Sequence, residues 1–429
     1  MNGEKNKLNY FFLNLLVIVT HGALLLTVFL NGNYTDIMEV IKLSVAVVAS
    51  DLIYFTAAFV IEQNTYTVDC ALVLIVNISL IFQSCFGGVN FNKKHFITIV
   101  AGMIAYYIGF FFTRNSFKSE KRKLLYYAGI AVLLVVIVIF TGERGIWIDL
   151  GVLSVQPSEF IKPLLVLVCA TSLIKQQEKK KVWIFSVTPN NIYMLGTGVV
   201  IIGLQWWCRD LGSIPIFSAV IGCAVINRMC YPKAKFSKKK IGVLAGTVVL
   251  VAAAAIKLAP GYVKDRLYVD IWADMDGKGY QQCRALIAIA EGGWFGKGPG
   301  NGKLYKIAAF DTDIVFSAVS EEWGLLAASL FVLLILLLLA TALINVPRNY
   351  YHGTIAVGIT AVFIVQMSLN IFGSCNLIPF TGVTLPFLSA GGTSMVTCGF
   401  LIGMFKAAQS PVLVRNIIEK RQQATGKGR

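Results

Sequence analysis

Apolar runs dominate this chain. About twelve stretches are each long enough to cross a bilayer, which takes roughly 20 residues. They fall near 10–30, 37–61, 69–88, 95–113, 124–141, 157–174, 190–207, 211–229, 241–258, 313–342, 352–373 and 386–408. Only 14% of the residues are charged and 56% are hydrophobic, so little chain remains for a separate soluble domain. This predicts an all-α membrane bundle, because helices satisfy their own backbone groups inside lipid. The second run carries Glu39, Lys42 and Asp51 and is the least apolar in character.

The net charge of +16 does not point to nucleic acid. The basic residues sit in short segments between apolar runs: 114–123, 175–181, 228–240, Arg348, and the tail from Arg415. With a cytoplasmic N-terminus these all fall on one side, as the positive-inside rule expects, and both termini are then cytoplasmic. Four segments face the other side: 141–155, 208–212, the long loop 257–312, and 376–385. The distinctive motifs all lie in or beside these four. The nine cysteines show no CxxC spacing and read as small core residues, although Cys85, Cys208 and Cys375 lie near outer ends and leave a bridge open. His21, His95 and His352 are too scattered for a histidine metal site or a Ser-His triad.

The outer segments carry the candidate chemistry. Asp313 stands where the loop enters an apolar run, with Asp311 before it and Glu321 and Glu322 further in. Carboxylates at membrane depth are costly and mark function by default. An Asp at that place can also simply cap the next helix, and residue type alone leaves both readings open. Pro157 suits a first helical turn. Glu159 and Lys162, three apart, share a helix face and read as a structural ion pair. Arg209-Asp210-Leu211-Gly212 fits a tight turn with a helix cap, or an Arg–Asp pair on a polar cavity. The loop 257–312 exceeds an ordinary connector. It holds Arg266, Trp272 and Tyr280, a helical stretch over 281–291, and the turn GGWFGKGPGNGK with Lys297 and Lys303. That turn suits phosphate binding only weakly, since it matches no known phosphate fingerprint. In NLIPFTGVTLPFLSAGGTS the Pro, Gly and hydroxyl residues favour broken backbone lining a cavity over a kinked helix.

Taken in order, GERGIWIDLG, QPSEFIKP, RDLGS, YQQCRALIAIAEGGWFGKG, DTDIVFSAVSEEWG and PFTGVTLPFLSAGGTS resemble the SEDS family, the RodA, FtsW and SpoVE cell-wall proteins of bacteria. The resemblance runs from about residue 141 to the C-terminus. It implies a peptidoglycan glycosyltransferase that polymerises the disaccharide-pentapeptide precursor lipid II at the outer face of the cytoplasmic membrane, working with a class B penicillin-binding protein. It also implies that Asp313 is the catalytic carboxylate. Family members usually have ten spans, so two extra N-terminal spans are expected here. The chain then divides into residues 1–120, a core over 121–429, and the extracellular loop 257–312 within that core. The usual His-Thr-Asp is Asp311-Thr312-Asp313 in this chain.

The expected substrate contacts are Arg209, Asp210, Arg266, Tyr280, Gln281, Lys297, Ser389, Gly391 and Gly392. The expected chemistry is attack of a sugar hydroxyl on a carbon bearing a diphospholipid, with Asp313 as general base and inversion at that carbon. A diphosphate leaves without protonation if its charge is balanced, so one carboxylate suffices where glycosidases need two. Arg209, Arg266, Lys278, Lys297 or a divalent cation (Mg or Mn) are the candidates for that balance. Two other classes fit parts of the pattern. A lipid flippase shares intramembrane carboxylates and broken helices, but no repeat relates the two halves. A pure scaffold leaves Asp313 and the long loop unexplained.

Overall fold

The computed structural model describes residues 2–61, 66–115, 119, 121–140, 147–149, 154–172, 180–182, 185–187, 189–230, 270–275, 277, 279–345 and 350–409. Eleven of the twelve expected runs are helices there, and the ninth, 241–258, lies outside the described residues. The helices are α1 (Asn2–Asn31), α2 (Ile37–Ile61), α3 (Tyr66–Gln83), α4 (Lys93–Thr113), α5 (Lys123–Phe140), α6 (Pro157–Ser172), α7 (Pro189–Trp207) and α8 (Ser213–Cys230), followed by α9 (Tyr280–Gly292), α10 (Val315–Ile344), α11 (Tyr350–Ser374) and α12 (Gly392–Gln409). Helix α9, of 13 residues, is the helical stretch expected within the long loop and is too short to span.

Among the described residues, α1 from Phe11, α4, α5, α10 and α11 are long and apolar enough to cross a membrane by length and composition. The chain is thus a multi-pass membrane protein. Several other helices turn polar side chains into the bundle, among them Asn77 and Gln83 of α3 and Glu159 and Lys162 of α6. The all-α expectation needs one small amendment. Two short antiparallel pairs occur, Ile148–Asp149 with Ser154–Val155 and Lys180–Val182 with Phe185–Val187.

Two local features set the shape of the end of the bundle that carries the distinctive motifs. The twelfth run is helical only from Gly392; residues 377–391 before it are irregular, with Phe387 at φ 62°. The backbone there is broken, not merely kinked, and prolines 379 and 386 remove donors that a helix would need. Helix α10 is two helices joined at Gly324, whose φ of 88° and ψ of 159° are open to glycine but strained for other residues. Residues 315–324 are all buried in protein, whereas beyond Gly324 the outward leucines are exposed.

The N-terminal helices are built into the bundle. Helix α4 packs backbone to backbone on α12: a Cβ on Gly399 would lie 2.0 Å from the Gly102 carbonyl oxygen, and one on Gly403 1.9 Å from that of Tyr106. Small residues four apart permit this approach in membranes. The same seam holds a buried ion pair, Lys406 Nζ to Asp69 Oδ2 at 2.6 Å, with the hydroxyls of Tyr54 and Tyr106 donating to Asp69 Oδ1 at 2.9 and 2.6 Å. Removing one partner strands the other charge. Asp69→Ala is therefore expected to cost about 3–5 kcal/mol, read as a fall in thermal stability in detergent. Asp69→Ala combined with Lys406→Met is expected to recover much of it; a double variant no more stable than the single would show that the pair does not act this way.

Candidate functional site

At one end of the bundle, described residues in or beside three of the four motif-bearing segments line a cavity of about 390 Å³, and Asp313, which directly follows the fourth, lines it too. Trp147 and Gln156 come from the first segment. Glu159 and Lys162 come from the start of α6, and Arg209 to Leu211 and Ser213 from the turn between α7 and α8. Asp313 precedes α10, and Thr381 to Thr384 belong to the broken segment.

Asp313 does not cap α10. The N-cap is Ile314, with no side-chain cap hydrogen bond, so the capping explanation fails. The main chain of the Asp311–Asp313 turn is gripped instead. Gln83 Nε2 and the Ala390 N–H donate to the Asp311 carbonyl at 3.0 and 2.9 Å. Ser389 Oγ donates to that of Thr312 at 2.6 Å, and Asn370 Nδ2 to that of Asp313 at 2.9 Å. With its carbonyls held, the turn leaves the Asp313 carboxylate on the cavity wall. Gly382, at φ 66°, brings its backbone against that carboxylate: a Cβ there would sit 3.2 Å from Asp313 Oδ2. Burial pushes the Asp313 carboxyl up to about 6, with Asp311 adding to the rise against a hydrogen bond from Thr312. Burial likewise raises Asp311. A carboxyl poised near neutrality suits general-base chemistry.

One wall of the cavity carries Glu159 and Lys162 from α6 and Arg209 and Asp210 from the turn before α8. Lys162 Nζ contacts Glu159 Oε1 at 2.6 Å and Gln366 Oε1 at 3.0 Å, all buried. The ion pair expected from the i, i+3 spacing is thus present, and it faces the cavity. Glu159 Oε2 is buried without a hydrogen-bond partner. Asp210 accepts from the Ser213 N–H at 3.2 Å and its hydroxyl at 2.6 Å, which fixes the start of α8. The helix-cap reading of this turn holds, and Asp210 lines the cavity as well. Its carboxyl is raised by burial, against the Ser213 hydrogen bonds. Arg209 is exposed at φ 60° and lines the same cavity.

Other expected contacts lie elsewhere. Lys297 is bound to Glu291 and, at 2.8 Å, to Glu321. The N–H groups of the glycine-rich turn are taken up within the chain, those of Gly300, Gly302 and Lys303 by carboxylates and those of Gly296, Lys297 and Gly298 by main-chain carbonyls, so they form no phosphate cradle. Glu321 accepts from Lys303 and Leu304, and Glu322 from Gly87, Gly300 and Gly302. Glu321 and Glu322 are thus loop anchors. The Ser389 hydroxyl is occupied by the Thr312 carbonyl and the Leu385 N–H, so it holds the turn. Gly391 packs against Thr384 and Ser394, Gly392 opens α12, and neither lines the cavity. Gln281 donates to the Ala308 carbonyl at 3.0 Å, and Tyr280 packs in the small core beneath the loop, under Arg284. Arg266 and Lys278 lie outside the described residues. Cys85 and Cys375 are free thiols. Among the described residues no three His, Cys, Asp or Glu side chains gather to hold a metal.

A multi-pass helical protein whose distinctive motifs gather the carboxylates of Asp313, Asp210 and Glu159 and the cations of Arg209 and Lys162 around one cavity is the class this geometry defines. The chain belongs to the FtsW/RodA/SpoVE cell cycle protein family, whose model matches residues 57–411. It is 30% identical over 331 residues to stage V sporulation protein E of Bacillus subtilis, covering 73% of this chain and 85% of that one. It is 29% identical over 279 residues to the probable peptidoglycan glycosyltransferase FtsW of Pseudomonas fluorescens, covering 60% of this chain and 63% of that protein's length. The fold matches a chain of a peptidoglycan synthase complex that couples polymerization and crosslinking, at TM-score 0.60 and 20% identity, covering 80% of this chain and 97% of the other. Thermus thermophilus RodA matches at TM-score 0.56 and 18% identity, covering 80% and 96%.

Because Lys297 staples the loop and lies off the cavity, Lys297→Met is expected to raise amide hydrogen exchange over residues 298–306, with no change around Asp313. Faster exchange at 309–314 as well would place Lys297 in the site.

Proposed function

We propose that the chain polymerises lipid II into glycan strands at the outer face of the cytoplasmic membrane, with Asp313 as general base. The observation that carries this reading is the Asp313 carboxylate, uncapped and half-buried, on a cavity that also presents Arg209 and Lys162. The acceptor sugar's 4-hydroxyl gives its proton to Asp313 as its oxygen attacks the anomeric carbon of the donor. The bond from that carbon to the diphosphate oxygen breaks, and undecaprenyl diphosphate leaves. Attack from the face opposite the leaving group inverts the centre, turning an α-linked donor into a β-linked strand.

Arg209 and Lys162 supply positive charge where the diphosphate becomes more negative. The ion pair with Glu159 holds the Lys162 side chain in place on the cavity wall. A divalent cation, Mg or Mn, would enter with the diphosphate of the substrate, since the described residues build no resident ligand set. The polyprenyl tail stays in the bilayer while the sugars reach the cavity. A class B penicillin-binding protein would then crosslink the strand, and both termini of the chain would lie in the cytoplasm. The Glu321 and Glu322 anchors support this reading by holding the long loop on the buried half of α10, directly after Asp313.

Purified chain with lipid II tests the reading. Asp313→Asn keeps the shape and removes the base, so turnover is expected to fall by about 10²–10⁴-fold while membrane insertion and partner binding persist. A wild-type rate in that variant would remove Asp313 from the mechanism, and transfer of lipid II across liposomes without glycan product would favour a flippase. The base works ionised, so kcat/KM is expected to rise with pH through about 6 and then level. A profile flat from pH 5 to 8 would contradict a carboxyl at that position as base.

A further inference from the structure

The turn Trp294–Phe295 is exposed in a way the chemistry above does not use. Trp294 is 67% and Phe295 84% exposed, in a turn whose backbone is otherwise fastened down. The fastening is backbone on backbone. A Cβ on Gly324 would fall 2.2 Å from the Trp294 carbonyl oxygen, and one on Gly296 2.3 Å from that of Glu322. The Leu325 N–H donates to the Gly293 carbonyl at 2.9 Å and the Leu326 N–H to that of Trp294 at 3.3 Å. The aromatic pair is therefore fixed at the break in α10.

That break is a level in the bilayer. Beyond it, residues 325–344 rise about 30 Å as a helix, the thickness of the hydrocarbon core. Their outward side chains Leu326, Leu330, Leu333 and Leu337 are exposed, as a lipid-facing stripe must be in a multi-pass protein. Before the break, residues 315–324 are buried in protein. Leu325 thus marks the outer edge of the hydrocarbon, and aromatic side chains are enriched at that edge. The neighbouring ammonium of Lys297 is held by Glu291 and Glu321.

We infer that Trp294 and Phe295 form an interfacial anchor, seated among the headgroups and first methylenes of outer-leaflet phospholipid and continuous with the lipid-facing stripe of α10. The anchor sets the height of the long loop over the leaflet. Through Glu321, Glu322 and the buried half of α10 it also sets the height of the Asp313 turn, a consequence that rests on the proposed polymerase activity.

The test places a nitroxide on Phe295→Cys in the full chain, reconstituted in phosphatidylethanolamine and phosphatidylglycerol liposomes. Collision with oxygen and with a water-soluble nickel chelate reads depth. Labels at Leu326→Cys and Asn301→Cys give the lipid and water references. The expected oxygen-to-nickel ratio at 295 is close to that at 326 and about fivefold above that at 301. A ratio equal to that at 301 overturns the anchor. So does a label shielded from both reagents, which would mean that another protein surface covers the turn. In a second arm, Trp294→Ser with Phe295→Ser is expected to lower lipid II polymerisation about fivefold in liposomes and less than about twofold in detergent. Equal rates, or equal losses in both media, would overturn the coupling to Asp313 and leave the depth result standing by itself.

Discussion

Three consecutive main-chain carbonyls, those of Asp311, Thr312 and Asp313, are each held by a different part of the molecule: Gln83 of α3, Ser389 of the broken segment, and Asn370 of α11. Buried carbonyls need donors, and here the surrounding protein supplies them. Satisfying them with side chains from three directions fixes the turn in space. The Asp313 carboxylate is then the group left over, and it borders the cavity. The position of the reactive group follows from how the groups behind it are bonded.

The same economy of polar groups organises the rest of this end of the bundle. Two adjacent glutamates in the buried half of α10 collect the N–H groups of the glycine-rich turn, and Glu322 also takes that of Gly87 from the α3–α4 connection. A carboxylate bonded by several N–H groups is well satisfied even where water is scarce. The loop is thereby folded onto the helix that follows Asp313. At the other end of the bundle, Asp69 and Lys406 join the N-terminal helices to α12, so the helices before residue 120 share one packed body with the site they support.

Much of this is legible in the amino-acid order, and the remainder is not for a definable reason. The pairing of Glu159 with Lys162 follows from helical spacing, the cap at Asp210 from turn chemistry, and the helix over 280–292 from its apolar pattern. Asp313 stands out because a carboxylate beside an apolar run is expensive to keep. What the order of residues does not specify is who reaches a flexible or multivalent group first. Lys297 has the charge for a phosphate, but two glutamates claim it. Ser389 lies in the right segment, yet its hydroxyl faces a carbonyl, and the stretch that lines the cavity, Thr381 to Thr384, lies several residues earlier. Gly382 gave no signal beyond being one more glycine. Gln83, Gln366 and Asn370 did carry one, as amides in otherwise apolar helices, where a polar side chain needs a partner.

The most direct examination of the account is a structure of the chain holding both a glycan acceptor and lipid II. The arrangement described here predicts the acceptor's 4-hydroxyl oxygen within about 3.2 Å of the Asp313 carboxylate, with the donor diphosphate on the Arg209 side of the cavity. Sugars seated away from that cavity, with Asp313 out of hydrogen-bond reach of any hydroxyl, would contradict it.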